Sequence, residues 1–190
     1  EEQRDLVARA RLRISLFAWE TDIVPASWLA EVTRADAIWV PSEFCASALR
    51  PLTDAPVQVV PHVVQPEPRP ALSPAEAAEI KASLGLSAER KTVLYAFDGS
   101  SFLARKNPQA LVRAFSMAGL HARGWQLALK TKHLAHASSE YREFLALAKE
   151  TRGVAIVDRQ LSGPEMTDLF DASEIYASPH AAEGFGLTIA

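Results

Sequence analysis

The chain has 190 residues, 48% of them apolar and 23% charged, with a net charge of −3. That balance suits a globular protein with one or two buried cores, and it carries no basic field for nucleic acid. No apolar run nears the ~20 residues that a membrane helix needs, no signal-peptide pattern opens the chain, and a single cysteine, Cys45, excludes an internal disulfide.

A charged helix-like stretch opens the chain, from Glu1 to Arg11. The apolar run Ile14 to Trp19 predicts a buried strand. Helical spacing over Pro25 to Ala35 puts Trp28, Leu29 and Val32 on one face. Ala37 to Val40 reads as a strand, Ser42 to Arg50 as a short helix with Ser42 as N-cap, and Val57 to Val60 as a third strand. This alternation predicts a parallel sheet. The joint from Pro61 to Pro70, with Pro66 and Pro68 inside it, favours extended backbone. Ser73-Pro74-Ala75-Glu76 then has a capping-box pattern and starts a helix that runs to Leu84, with Gly85 ending it.

The second half alternates more cleanly. Strands are predicted at Thr92 to Phe97, Gln126 to Leu129, Val154 to Val157 and Ile175 to Ala177. Helices are predicted at Asn107 to Met117, at Ser138 to Glu150, and from a second capping box at Ser162-Gly163-Pro164-Glu165 to Ala172. The fold class is α/β, with Rossmann-like, doubly wound parallel sheets. The expected domains are 1–68, a linker and helix over 69–90, and 91–190.

Ligands of such sheets bind at the carboxyl ends of the strands. After the first strand of the second half come Gly99, Ser100, Arg105 and Lys106, a Gly/Ser loop with two cations at a helix entry that suits a diphosphate. After the second comes Lys130, and after the third Gln160 and Leu161, whose backbone is placed to grip a base edge. After the fourth comes Pro179-His180-Ala181-Ala182-Glu183-Gly184-Phe185-Gly186-Leu187, a Gly-punctuated turn before a helix-like stretch. Free N–H groups at such a junction make an anion site, with one carboxylate and one imidazole beside it. His62, His121, His133 and His136 share no ligand spacing with cysteines or carboxylates, and no Asp-x-Asp pair occurs. No metal site is expected.

These residues carry a resemblance. Ser178 to Leu187 is similar to the donor-site signature of retaining GT-B glycosyltransferases of the type-4 family, Glu-Gly-Phe-Gly-Leu followed by a second Glu. That second Glu would fall just past Ala190, so the chain is read as a fragment truncated at both ends and inactive alone. Arg105 to Pro108 resembles the family's phosphate-binding lysine loop. Trp39-Val40-Pro41-Ser42 and Val59-Val60-Pro61-His62 resemble the end of its N-terminal, acceptor-side domain.

The resemblance implies a GT-B C-terminal donor domain plus the end of the N-terminal one. It implies transfer of a sugar from a UDP- or GDP-linked donor to a glycan or lipid-linked acceptor with retention, without cofactor or metal. Lys106 would pair with the donor diphosphate, assisted by Arg105 and Lys130, and Glu183 would hydrogen-bond sugar hydroxyls. His180 lies in the same crevice, and the backbone of Gly184, Phe185, Gly186 and Leu187 would meet phosphate and sugar. Gln160 and Leu161 would lie beside the base. The family's usual arginine, about six positions before the lysine, is replaced by Ser100. The implied location is cytoplasmic, with the whole protein at the inner face of the membrane. Two other readings stay open: a non-catalytic nucleotide-binding module, and a dinucleotide-dependent oxidoreductase, which the absence of Gly-x-Gly-x-x-Gly after any predicted strand disfavours.

Overall fold

The computed structural model describes residues 10–65, 68–132 and 139–190. The expected opening helix over 1–11, Pro66, His133, His136 and Ser138 therefore lie wholly or mainly outside the described residues. The chain forms two compact units, 1–66 together with 182–190, and 67–181.

In the first unit, strands β1 (Ile14–Leu16), β2 (Ala37–Val40) and β3 (Val57–Val59) form a parallel sheet in the order β1-β2-β3. Helices α1 (Leu29–Arg34) and α2 (Glu43–Leu49) bury Val32, Cys45, Ala46 and Leu49 against Ile38 and Val40. Ser42 caps α2 as its sequence predicts, its hydroxyl accepting from the Cys45 N–H at 3.3 Å.

Two expectations fail here for reasons that lie outside local sequence. The run from Ile14 to Trp19 is not a buried strand: only three residues pair, and Ile14 and Leu16 are 42% and 63% exposed, because β1 is an edge strand. The helix expected over Pro25 to Ala35 is a 3₁₀ turn, Ala26–Trp28, followed by α1, and of its apolar face only Val32 is buried.

In the second unit, β4 (Lys91–Ala96), β5 (Trp125–Thr131), β6 (Val154–Asp158) and β7 (Ile175–Tyr176) form an all-parallel sheet in the order β6-β5-β4-β7. The helices are α3 (Pro74–Ser83), the single turn α4 (Leu103–Lys106), α5 (Pro108–Met117), α6 (Ser139–Glu150) and α7 (Gly163–Asp171). A parallel sheet must be covered on both faces, and this one is. Val93, Tyr95, Phe97, Leu127 and Leu129 meet Val112, Phe115, Tyr141 and Phe144 of α5 and α6. Leu94, Ala128 and Val157 meet Leu169 of α7 on the other face. Each large apolar side chain so buried contributes about 1.5–3 kcal/mol.

Both predicted capping boxes form, at Ser73/Glu76 and Ser162/Glu165. Gly85 closes α3 with φ +74°, a conformation that suits a residue without Cβ. Among the described residues no helix is long and apolar enough to cross a membrane.

Candidate functional site

The order β6-β5-β4-β7 makes a topological switch point: after β4 the chain steps outward through β5 and β6, then returns to the other side of β4 as β7. Loops leaving β4 and β7 at their carboxyl ends flank the crevice where such sheets take ligands. Those loops carry Gly99 to Lys106 and Ser178 to Ala181.

The β4 loop is built around Asp98. Its Oδ1 accepts from the Ser100 N–H at 2.9 Å and the Ser100 hydroxyl at 2.8 Å, and Oδ2 lies 3.3 Å from Lys132 Nζ. The Gly99 N–H donates to the Lys132 carbonyl, and the Tyr141 hydroxyl to that of Ser101 at 3.0 Å. Ser100 is thus an exposed residue whose hydroxyl is turned to Asp98.

The loop then rises into α4, where the sequence reading expects no helix. Lys106 is 9% exposed and Arg105 half-buried. Asn107 turns the chain between α4 and α5 in a left-handed conformation, φ +49°. Hydrogen bonds to two carbonyls of α4 tie it to β4 and to the β7 loop, and a ring contact joins that loop to β4. The Tyr95 hydroxyl donates to the Lys106 carbonyl at 2.6 Å, the Ala181 N–H donates to the Arg105 carbonyl at 2.8 Å, and the His180 ring stands edge-on to Tyr95 at 5.3 Å. His180 Nδ1 lies 2.6 Å from the Ser178 hydroxyl. Arg105, Lys106 and His180, named from separate stretches of sequence, are brought together by these contacts.

Lys130 is the penultimate residue of β5, in register with Ala96 of β4. Its Nζ donates to the Thr131 carbonyl at 2.9 Å, and only 6% of the residue is exposed. Burial, then the nearby Lys132, hold its pKa below the usual lysine value. Gln160 is exposed, whereas the Leu161 side chain packs in the core with Leu86, Leu94 and Leu169. Leu161 therefore offers a ligand its backbone and not its side chain.

Glu183 to Leu187 belong to the first unit. After Glu183, where the sequence reading expects a helix-like stretch, the Ile189 and Ala190 N–H groups both donate to the Gly186 carbonyl in a single turn. Gly186 has φ +82°, Glu183 and Phe185 are half-buried, and Leu187 is 64% exposed. Gly184 is buried: its carbonyl accepts from the Ser42 hydroxyl at 2.5 Å and lies 3.3 Å from Cys45 Sγ. The Phe185 ring stands edge-on to His62 at 5.1 Å. Among the described residues no cluster of three or more His, Cys, Asp or Glu is placed to hold a metal.

Sequence reasoning gave Tyr95, Asp98 and Ser178 no role of their own in one unit, and gave Cys45 and His62 none in the other. The signal available was position: Asp98 and Ser178 follow strands, and His62 ends the run after β3.

No family model matches the chain, and no curated protein matches it significantly. Solved structures do match in fold. The Anabaena protein Alr3699/HepE, in complex with UDP and glucose, is 13% identical with a TM-score of 0.63, covering 93% of this chain and 48% of that one. The pneumococcal O-GlcNAc transferase GtfA, in complex with UDP and GlcNAc, is 15% identical with a TM-score of 0.58, covering 86% and 29%. An E. coli trehalose-6-phosphate structure bound with UDP-2-fluoro glucose is 12% identical with a TM-score of 0.59, covering 85% and 44%. The chain thus spans less than half the length of each of these structures. What it shares with them is the mixed α/β architecture with parallel, Rossmann-like sheets of the GT-B glycosyltransferases.

Proposed function

We propose that this chain is the donor-side part of a retaining glycosyltransferase of the type-4 family. In the whole protein it moves a sugar from a UDP- or GDP-linked donor to a glycan or lipid-linked glycan acceptor, in the cytoplasm or at the inner face of the membrane, without a metal. The observation that carries this reading is the joining of the β4 and β7 loops at the switch point, where Arg105, Lys106 and His180 collect beside Tyr95. The likeness in fold to structures holding UDP supports it.

Cleavage of the sugar–phosphate bond puts negative charge on the departing diphosphate and positive character on the sugar ring. Lys106, with Arg105 and Lys130, stabilises the diphosphate, and Glu183 orients the sugar through its hydroxyls, as do the backbone N–H groups of Gly184 to Leu187. The acceptor attacks on the face the diphosphate leaves. Gln160 and the Leu161 backbone border the base.

Calorimetric titration with UDP, GDP and NAD tests the donor class. Binding of UDP or GDP is expected, and binding of NAD alone overturns the reading. In the whole enzyme Lys106→Ala is expected to slow transfer ~100-fold or more, since one donor to a developing oxyanion is worth ~3 kcal/mol. Unchanged donor affinity and turnover in both Lys106→Ala and Glu183→Ala would refute the assignment.

A further inference from the structure

Two runs of the first unit have no part in the proposed chemistry: Trp39-Val40-Pro41-Ser42 after β2 and Val59-Val60-Pro61-His62 after β3. Each ends on a residue that touches the Glu183 turn. Ser42 donates its hydroxyl hydrogen to the Gly184 carbonyl at 2.5 Å while accepting from the Cys45 N–H, so one hydroxyl caps α2 and holds the turn. Cys45 Sγ lies 3.3 Å from the same carbonyl and 2.9 Å from that of Trp19. His62 meets the ring of Phe185. The fit is close: a Cβ on Gly184 would stand 3.0 Å from the Trp19 carbonyl oxygen and 3.4 Å from Cys45 Sγ.

We infer that Ser42 and His62 are positioning residues for the donor sugar: they hold Gly184 and Phe185, the two residues that directly follow Glu183, and so fix where the Glu183 carboxylate points. A hydrogen bond and a ring contact on the residues next to a half-buried Glu restrict its backbone, which orientation of a polyhydroxyl ligand requires, because a displacement of about 1 Å costs a bidentate hydroxyl contact. The inference rests on the donor-site reading above.

The test separates capping from gripping. Ser42→Asp keeps an N-cap acceptor for α2 but offers the Gly184 carbonyl no hydrogen, whereas Ser42→Thr keeps both. Cys45 is the only cysteine of the chain and fully buried, so thiol labelling reports release of the turn. With UDP-glucose and GDP-mannose as probes, Ser42→Asp is expected to lower affinity for the bound probe about tenfold and to speed Cys45 labelling at least tenfold. Its melting temperature is expected to fall by only the few degrees that loss of one hydrogen bond costs, with the far-ultraviolet spectrum unchanged, and Ser42→Thr should restore both readouts. His62→Ala, an exposed position that leaves the core intact, carries the same expectation for affinity and replaces Ser42→Asp should that variant fail to fold. If Glu183→Ala weakens binding while Ser42→Asp and His62→Ala leave it unchanged, the positioning role is overturned and the donor reading stands. If neither probe binds, or Glu183→Ala has no effect, the donor reading itself fails and takes the inference with it.

Discussion

The Tyr95 hydroxyl and the Lys106 carbonyl are joined by a 2.6 Å hydrogen bond, so a strand residue in the core sets the height of the one-turn helix that carries Arg105 and Lys106, two of the three cations proposed for the site. Tyr95 is fully buried, and its ring also stacks on Phe97 and meets His180. Tyr95→Phe keeps the ring and removes one donor from α4. We expect a loss of about 1–3 kcal/mol, a melting temperature lower by several degrees, and weaker UDP or GDP binding with the far-ultraviolet spectrum unchanged. A variant melting within a degree of wild type with full affinity would show that the bond does not position α4.

Asn107 supplies a second constraint on the same helix. Its φ of +49° is costly for side chains branched at Cβ, and its own side chain makes no capping bond to α5. Asn107→Gly is therefore expected to change stability by less than about 0.5 kcal/mol, while Asn107→Val should lose roughly 1–2 kcal/mol or more. Urea unfolding of the two variants measures the difference, and equal stabilities would contradict the strain argument.

These residues also show what could be read in advance. The capping boxes at Ser73 and Ser162 are legible because a cap is decided by residues three positions apart. The second sheet is legible because its central strands, β4 and β5, are buried on both faces and carry apolar runs. Placing Arg105 and Lys106 after a strand needed only that pattern, whereas Lys130, expected after its strand, lies within β5, which runs two residues further than predicted. The direction of a side chain needed more: Ser100 bends back to Asp98, two positions away, in a local turn that the apolar pattern does not mark, and Leu161 turns into the core against Leu86, Leu94 and Leu169 from elsewhere in the fold. Tyr95 was hidden for the opposite reason. Strand periodicity marks it as core, which it is, and gives no hint that its hydroxyl holds α4. The bond between Ser42 and Gly184 spans 142 positions, beyond any local pattern.

Glu174 offers a test of the frame behind the switch point. Its carboxylate accepts from the Thr92 N–H and from Lys81 Nζ, at 3.1 Å, and Lys81 is only 4% exposed. Removing the carboxylate leaves a buried ammonium whose other partner is the Arg90 carbonyl at 3.1 Å. Loss of one partner of a buried pair costs about 3–5 kcal/mol, and the 40% exposure of the Glu174 side chain brings the expectation for Glu174→Ala to about 2–3 kcal/mol. Adding Lys81→Met should recover part of that loss. A double variant as unstable as the sum of the single changes would show that the two side chains are not coupled.

Lys130 gives the site a pH dependence of defined sign. Burial, the largest cause, and then Lys132 lower its pKa in the folded protein, while the unfolded chain titrates near 10.4. Between the lowered folded value and 10.4 the unfolded state binds more protons, so stability rises with pH across that window. Below the window the full cost of a buried ammonium is present, and above it that cost is gone. Lys130→Met should therefore flatten the rise seen by urea unfolding across that window, and should raise stability below it. A bound diphosphate favours the ammonium and reverses the shift, so nucleotide binding within this window should take up a proton. Calorimetry in buffers of different ionisation enthalpy reads that uptake directly. Wild-type uptake that vanishes in Lys130→Met places this lysine against the phosphates, and uptake that persists in the variant removes it from the site.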